Sequence, residues 1–206
     1  MKVLLLNGSP HEDGTTAAAL SEMIRVFEQE GVETELIQVG KLDVRGCIAC
    51  GACGKLGKCM FNDIVNEIGA KLKDADGLVV GSPVYYASAN GTMLSLLSRL
   101  FTSTPYSKVM KVGAAVTCAR RAGTVTAFDE LNKFFFIAGM PVASGQYWNG
   151  LHGNASAESA QEDKEGLQQQ RTLALNMTFL MKSIALGKEK YGIPAKEPGI
   201  RTNFVR

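Results

Sequence analysis

Four of the five cysteines stand in one short stretch, Cys47-x2-Cys50-x2-Cys53-x5-Cys59. An odd total grouped this way does not make a secreted disulfide framework; in a reducing compartment it points to metal or redox chemistry. Arg45, Lys55 and Lys58 lie nearby and would depress thiol pKa values, favouring the thiolate that ligates metal. Zinc is one option, although four-cysteine zinc sites usually divide into two separated C-x2-C pairs. A glycine-rich loop with unligated thiols is the remaining alternative. The fifth, Cys118, reads as a small buried residue.

A second stretch, Asn7 to Thr16, follows the apolar run Val3-Leu4-Leu5-Leu6 and precedes Leu20, Met23, Ile24 and Phe27 at helical spacing. A strand that ends in a Gly/Ser/Thr loop at a helix start directs unpaired N–H groups and the positive end of a helix dipole at one spot. An anion fits there. A P-loop needs four residues between its glycines and then Lys-Ser/Thr, but five separate Gly8 from Gly14, and Thr15 takes the lysine's place. The dinucleotide pattern G-x-G-x-x-G occurs nowhere in the chain. His11-Glu12 lacks the second histidine of a zinc-protease motif. The hydroxyls of Ser9, Thr15 and Thr16, with His11 beside them, suit the phosphate of a mononucleotide; a merely well-capped helix is the alternative.

Two further loops carry groups that a flavin would use: main-chain amides along the ring edge, an apolar or aromatic wall, and a positive group for the reduced anion. Pro83, Val84, Tyr85, Tyr86 and Ser88 offer amides and two aromatic rings. Arg120, Arg121 and Gly123, ahead of Thr124, offer charge and close backbone approach. The competing reading makes the tyrosines core-edge aromatics and the arginines a solvated pair. Neither histidine sits in a Ser/Cys–His–Asp arrangement, which disfavours hydrolysis. His152 lies in the aromatic, glycine-rich stretch Gln146 to Gly153, either a lid over a flavin or a surface turn.

The elements that must position these loops alternate strand and helix. The first strand and helix are followed, after Gly31, by a half-exposed edge strand over Val32–Val39. A long aperiodic connection follows from Gly40 to Asn62, and Asn62 or Asp63 caps a helix bearing Val65, Ile68 and Leu72. Gly77–Ser82 is a strand that Pro83 should end, and Met93, Leu97 and Leu100 mark the next helix. Val109–Cys118 is a fourth strand, with Thr117 near its end. Phe128, Leu131 and Phe135 lie on a helix stopped by Gly139 and Pro141. Val142–Trp148 is a fifth strand, Asn149–Glu158 a loop, Leu173, Met177, Leu180 and Ile184 the last helix, and the chain after Gly187 a charged surface tail. Five β-α alternations imply a parallel sheet with helices on both faces and ligands at the C-terminal strand ends.

The chain's 206 residues, 46% hydrophobic and 20% charged, fit a single domain over residues 1–206, with a Cys-rich loop at 44–62. A net charge of +2 without a long Lys/Arg run indicates neither nucleic acid nor a membrane surface as partner. The N-terminal apolar run is too short for a signal peptide, and the uncharged stretch Gly77–Ser98 is broken by Pro83, Asn90, Gly91 and four serines. The expected location is the cytoplasm.

Gly8-Ser9-Pro10, Gly81-Ser82-Pro83-Val84-Tyr85, the cysteine run and Ala119-Arg120-Arg121-Ala122-Gly123-Thr124 together resemble the flavodoxin-like NADPH-dependent FMN reductases, specifically the branch with iron–sulfur flavoproteins. The resemblance implies a flavodoxin-like three-layer sandwich with a five-stranded parallel sheet of order 2-1-3-4-5, bound FMN, and a homodimer or homotetramer. It implies flavin contacts from Ser9, His11, Thr15, Thr16, Pro83, Val84, Tyr85, Tyr86, Ser88, Thr117, Arg120, Arg121, Gly123 and Thr124; His11 stands where many relatives carry arginine. It also implies a [4Fe-4S] cluster on Cys47, Cys50, Cys53 and Cys59, although the bacterial ferredoxin run has x3 and a proline where this chain has x5 and Met60. The implied activity is hydride transfer from NAD(P)H, bound transiently against the flavin, and delivery of electrons to a flavin, quinone or other small acceptor. The alternatives are an electron carrier fed by ferredoxin-like proteins and a flavin-binding sensor without turnover.

Overall fold

Alternation along the first strand decides the architecture. In the computed structural model, which describes residues 1–154, 156–200 and 202, β1 (Lys2–Asn7) sends Val3 and Leu5 into one core and Leu4 and Leu6 into another. A strand buried on both faces must do this, because successive side chains point to opposite sides. After it come α1 (Thr15–Gln29), β2 (Glu33–Gln38), the single turn α2 (Cys53–Leu56), α3 (Ile64–Asp74) and β3 (Gly77–Tyr85). The chain continues through β4 (Ser88–Ala89), α4 (Gly91–Ser103), β5 (Val112–Ala119), α5 (Thr124–Ile137), β6 (Gly150–His152), α6 (Ala157–Glu162) and α7 (Lys164–Tyr191).

The order β2-β1-β3-β5-β6 is parallel throughout, with β4 turned back antiparallel on β3. This is the expected 2-1-3-4-5 order with one two-residue strand added. One core packs Leu20, Met23 and Phe27 of α1 against Leu173, Met177 and Met181 of α7 and the sheet. The other packs Val65, Ile68 and Leu72 of α3, Met93, Leu97 and Leu100 of α4, and Leu131 and Phe135 of α5 on the opposite face. Asp63 caps α3 by accepting from Val65 N at 3.2 Å. Among the described residues no helix is long and apolar enough to cross a membrane.

Several expected boundaries are corrected. Pro83 does not end its strand: it pairs with Cys118, and β3 runs on to Tyr85. Gly81 O accepts from Gly8 N at 2.8 Å, so residues 81 and 83 direct their backbone groups to the β1 side. β1 has stopped by Pro83, so its missing N–H interrupts no ladder. The fourth strand starts at Val112 rather than Val109, because Met110 turns the chain with φ of 67°.

Val142–Trp148 is not a strand. Gly113 and Val142 make one isolated parallel bridge, with Ala143 N to Gly113 O at 2.8 Å, but the Gln169 side chain then accepts from Gln146 N at 3.0 Å and Tyr147 N at 2.9 Å. Those amides have a side-chain partner in place of β5, and pairing resumes at Thr117 N to Asn149 O. β6 and the start of α6 therefore fall within the stretch expected to be the loop Asn149–Glu158, of which Ala155 lies outside the described residues. α7 continues past Gly187 to Tyr191, its last turn carrying Lys188 and Lys190 against the helix dipole. The expected tail begins there, and part of it lies outside the described residues.

Candidate functional site

The loop after β1 folds on itself before it enters α1. Asn7 Oδ1 accepts from Ser9 N at 2.9 Å and Ser9 Oγ from His11 N at 3.1 Å, local side-chain bonds that fix an irregular backbone. Asn90 Nδ2 donates to Gly8 O at 2.7 Å, and Asn90 also caps α4 by accepting from Thr92 N at 2.8 Å. Ser9, Thr15 and Thr16 are buried while His11 is exposed. Gly14 gives α1 no side-chain cap, and the helix's first backbone bond is Ala18 N to Gly14 O. Among the described residues Thr15 Oγ1, a buried oxygen, has no partner. The N–H groups of the first turn, the dipole and this hydroxyl thus converge unsatisfied, as an anion site requires.

The second loop is a two-residue hairpin. Tyr86 and Ala87 both have positive φ, 50° and 59°, the turn that matches strand twist but is normally left to Asn and Gly. Glu130 Oε2 holds it by accepting from Ser88 Oγ at 2.7 Å and Ala89 N at 2.9 Å. Gly123, at φ of 96°, lets the third loop approach: a Cβ there would lie 3.0 Å from Val84 Cγ1. The close approach expected of Gly123 is therefore made to the hairpin.

Together these loops enclose a cleft of about 590 Å3 at the C-terminal ends of β1, β3 and β5. Of the residues expected to contact a flavin, Ser9, His11, Thr15, Thr16, Pro83, Val84, Tyr85 and Arg120 line it. Six do not. Tyr86 is fully exposed at the hairpin tip, Arg121 is exposed, Ser88 is bound to Glu130, and Gly123 abuts the hairpin. Thr117 Oγ1 donates to Thr124 O at 3.3 Å, and both line a neighbouring cavity of about 270 Å3 with Tyr147, Trp148 and His152. Gly153, Asn154 and Cys118 line the cleft without having been expected there. Cys118 is buried, as expected, and burial pushes its thiol up to about 12, so it faces the cleft as a neutral group. The signal for Gly153 and Asn154 was the glycine-rich stretch around His152. Partial burial also raises the Tyr85 phenol.

The cysteine loop lies beside α3 and α4. All five cysteines are free thiols, and Cys47, Cys50, Cys53 and Cys59 surround one cavity of about 190 Å3, with Ile48, Met60, Phe61 and Arg99. Among the described residues no three His, Cys, Asp or Glu side chains group as they would on a single ion. Asn66 clamps the end of the loop, accepting from Cys59 N at 2.9 Å and donating to the carbonyls of Cys59 and Phe61, each at 3.0 Å. Arg99, 1% exposed, donates to Cys59 Sγ from Nε at 3.3 Å and Nη2 at 3.2 Å. Sequence reasoning passed over Arg99 because it sits in the polar spacing of an amphipathic helix. Four soft ligands around one small cavity, one of them already held by a guanidinium, fit a thiolate-bound cluster.

Residues 1–154 match the family model described as NADPH-dependent FMN reductase. An iron–sulfur flavoprotein of Methanocaldococcus jannaschii is 31% identical over 194 residues, covering 89% of this chain and 99% of that protein. Among solved structures, RosB with bound 8-demethyl-8-formylriboflavin-5'-phosphate superposes with a TM-score of 0.71 at 16% identity, covering 100% of this chain and 92% of the other. A flavodoxin from the domain Archaea gives 0.60 at 17% identity, covering 88% and 99%. At such identities the two structures establish the fold alone, and that fold is flavodoxin-like.

Proposed function

This chain belongs to the NADPH-dependent FMN reductase family, and from that premise we propose that it binds FMN in the cleft of about 590 Å3 and works as an NAD(P)H-dependent oxidoreductase with a flavin, quinone or other small acceptor. The observation that carries this reading is the unsatisfied start of α1, where Thr15 Oγ1 and the uncapped first turn await an anion. FMN, when bound, supplies hydride acceptance and electron donation.

The chain's own residues do the rest. Ser9, Thr15 and Thr16 with the α1 amides bind the phosphate, and Pro83 to Tyr85 present backbone and an aromatic ring to the flavin. Arg120 places positive charge at the cleft, stabilising an anionic reduced ring. Cys118 and Ala119 form an apolar wall that excludes water. Stopped-flow mixing with NADPH tests the proposal: flavin absorbance should bleach rapidly and recover when a quinone is added, and a flavin that stays oxidised would sink it.

A second reading is favoured by the four cysteines around one cavity. Cys47, Cys50, Cys53 and Cys59 would hold a [4Fe-4S] cluster, which supplies one-electron transfer when bound. The chain would then be an electron carrier fed by a ferredoxin-like protein. In that case NADPH leaves the flavin oxidised and a reduced ferredoxin bleaches it. The exposed Phe136 and Ile137 of α5 and Phe179 of α7 support a homo-oligomer, which sedimentation velocity would resolve.

A further inference from the structure

The contacts of Arg99 exceed what an ion pair between two helices needs. Its Nη1 and Nη2 lie 2.7 and 2.9 Å from Asp63 Oδ2 and Oδ1, a bidentate pair that fixes the plane of the guanidinium. Asp63 is itself held as the cap of α3. With the plane fixed, the Nε edge faces Cys59 Sγ, and Nη1 reaches Arg45 O at 3.3 Å. The guanidinium carbon sits 5.0 Å from the Phe61 ring centre, and that of Arg45 sits 4.8 Å from the same ring. A guanidinium is not deprotonated in proteins, so Arg99 remains a cation.

A neutral thiol is a weak acceptor and a poor partner for two buried guanidinium N–H groups. A metal-bound thiolate is a strong one, and hydrogen bonds to cluster sulfurs help set both retention and potential. We propose that Arg99 is a positioning residue of the cysteine site: it holds the Cys59 sulfur in ligating position and stabilises the more negative, reduced state of the group bound there. The proposal rests on the reading in which the four cysteines hold an iron–sulfur cluster. Asp63 cancels most of the guanidinium's long-range field, so the effect acts through the two N–H bonds to sulfur.

The test compares wild type, Arg99→Met and Arg99→Lys, purified anaerobically, by iron and FMN content, resistance to a chelator, and redox titration followed by electron paramagnetic resonance. Arg99→Met should keep FMN and lose iron to the chelator about 10–100-fold more readily. Any cluster it retains should favour the oxidised state at least tenfold more, a fall of about 59 mV for a one-electron couple. If Arg99→Met does not fold, Arg99→Lys carries the test: one ammonium can hold Asp63 but cannot also present two donors to sulfur, and the same directions are expected. A variant with lower thermal stability but unchanged iron retention and potential would leave Arg99 as a helix-pairing residue and overturn the proposal alone. Iron-free wild type overturns the cluster reading and the proposal with it.

Discussion

The loop proposed to hold the phosphate and the cysteine loop are organised in opposite ways. The first hangs from the centre of the sheet: Ser9, Thr15 and Thr16 are buried, and Asn7, Ser9 and Asn90 fix its backbone before any ligand arrives. The cysteine loop contains one four-residue turn of helix, its Cys47 and Cys50 are exposed, and Ile48 and Met60 are each about half exposed. It is tied to the fold through Asn66, which reaches Cys59 and Phe61, and Arg99, which reaches Cys59 and Arg45. The fold therefore prepares the first site, whereas a cluster bound at the second, as proposed, would add order of its own, as is general for metal sites coupled to folding. Contacts with a flavin should fail one at a time; contacts with a cluster should fail together.

The largest effect expected is all-or-none. Cys50→Ser should abolish iron and broad visible absorption while FMN stays at wild-type stoichiometry, measured by metal analysis and flavin extraction; loss of FMN as well would show that the two sites are not separable. Next in size, Thr15→Ala and Thr16→Ala should each weaken FMN by about 1.5–3 kcal/mol, the value of a hydrogen bond to a charged group. That is one to two orders of magnitude in Kd by fluorescence titration, with iron unchanged. Asn66→Ala follows. It frees the Cys59 N–H and two carbonyls at the loop's end, costing about 1–3 kcal/mol where they stay unsolvated. For a chain of this size, differential scanning calorimetry should register a fall in Tm of a few degrees per kcal/mol. Iron should be lost more easily and FMN not at all.

How far each region could be read from sequence follows from the same contrast. The alternation Val3 to Leu6, the cap at Asp63 and the stops at Gly31 and Gly139 are local signals, and all four lie where they were expected. The turn from β1 into α1 was legible because its hydroxyls and its helix are contiguous. Errors arose where the partner was distant. Gln169 diverts the backbone at Gln146 and Tyr147 from across 22 or more residues, and nothing within Val142–Trp148 announces it. Pro83 is tolerated only because β1 has ended on its open side, a fact of register. Arg99 is forty residues from Cys59 in sequence and meets it only through the packing of α4 on the cysteine loop.

The smallest predicted effect is the sharpest test of the contrast. Arg120 lines the cleft but is exposed, so its charge is screened and contributes at most about 1 kcal/mol. For a two-electron couple that is about 20 mV. Arg120→Met should accordingly lower the flavin potential by no more than this, read by spectroelectrochemical titration, because most of the stabilisation would come from backbone amides that the fold holds in place. Arg99 is buried and acts on one sulfur, so its removal should move the cluster's potential several times further. If Arg120→Met instead shifts the flavin as far as Arg99→Met shifts the cluster, a single side chain governs the cleft too, and the fold has not prepared one site more than the other.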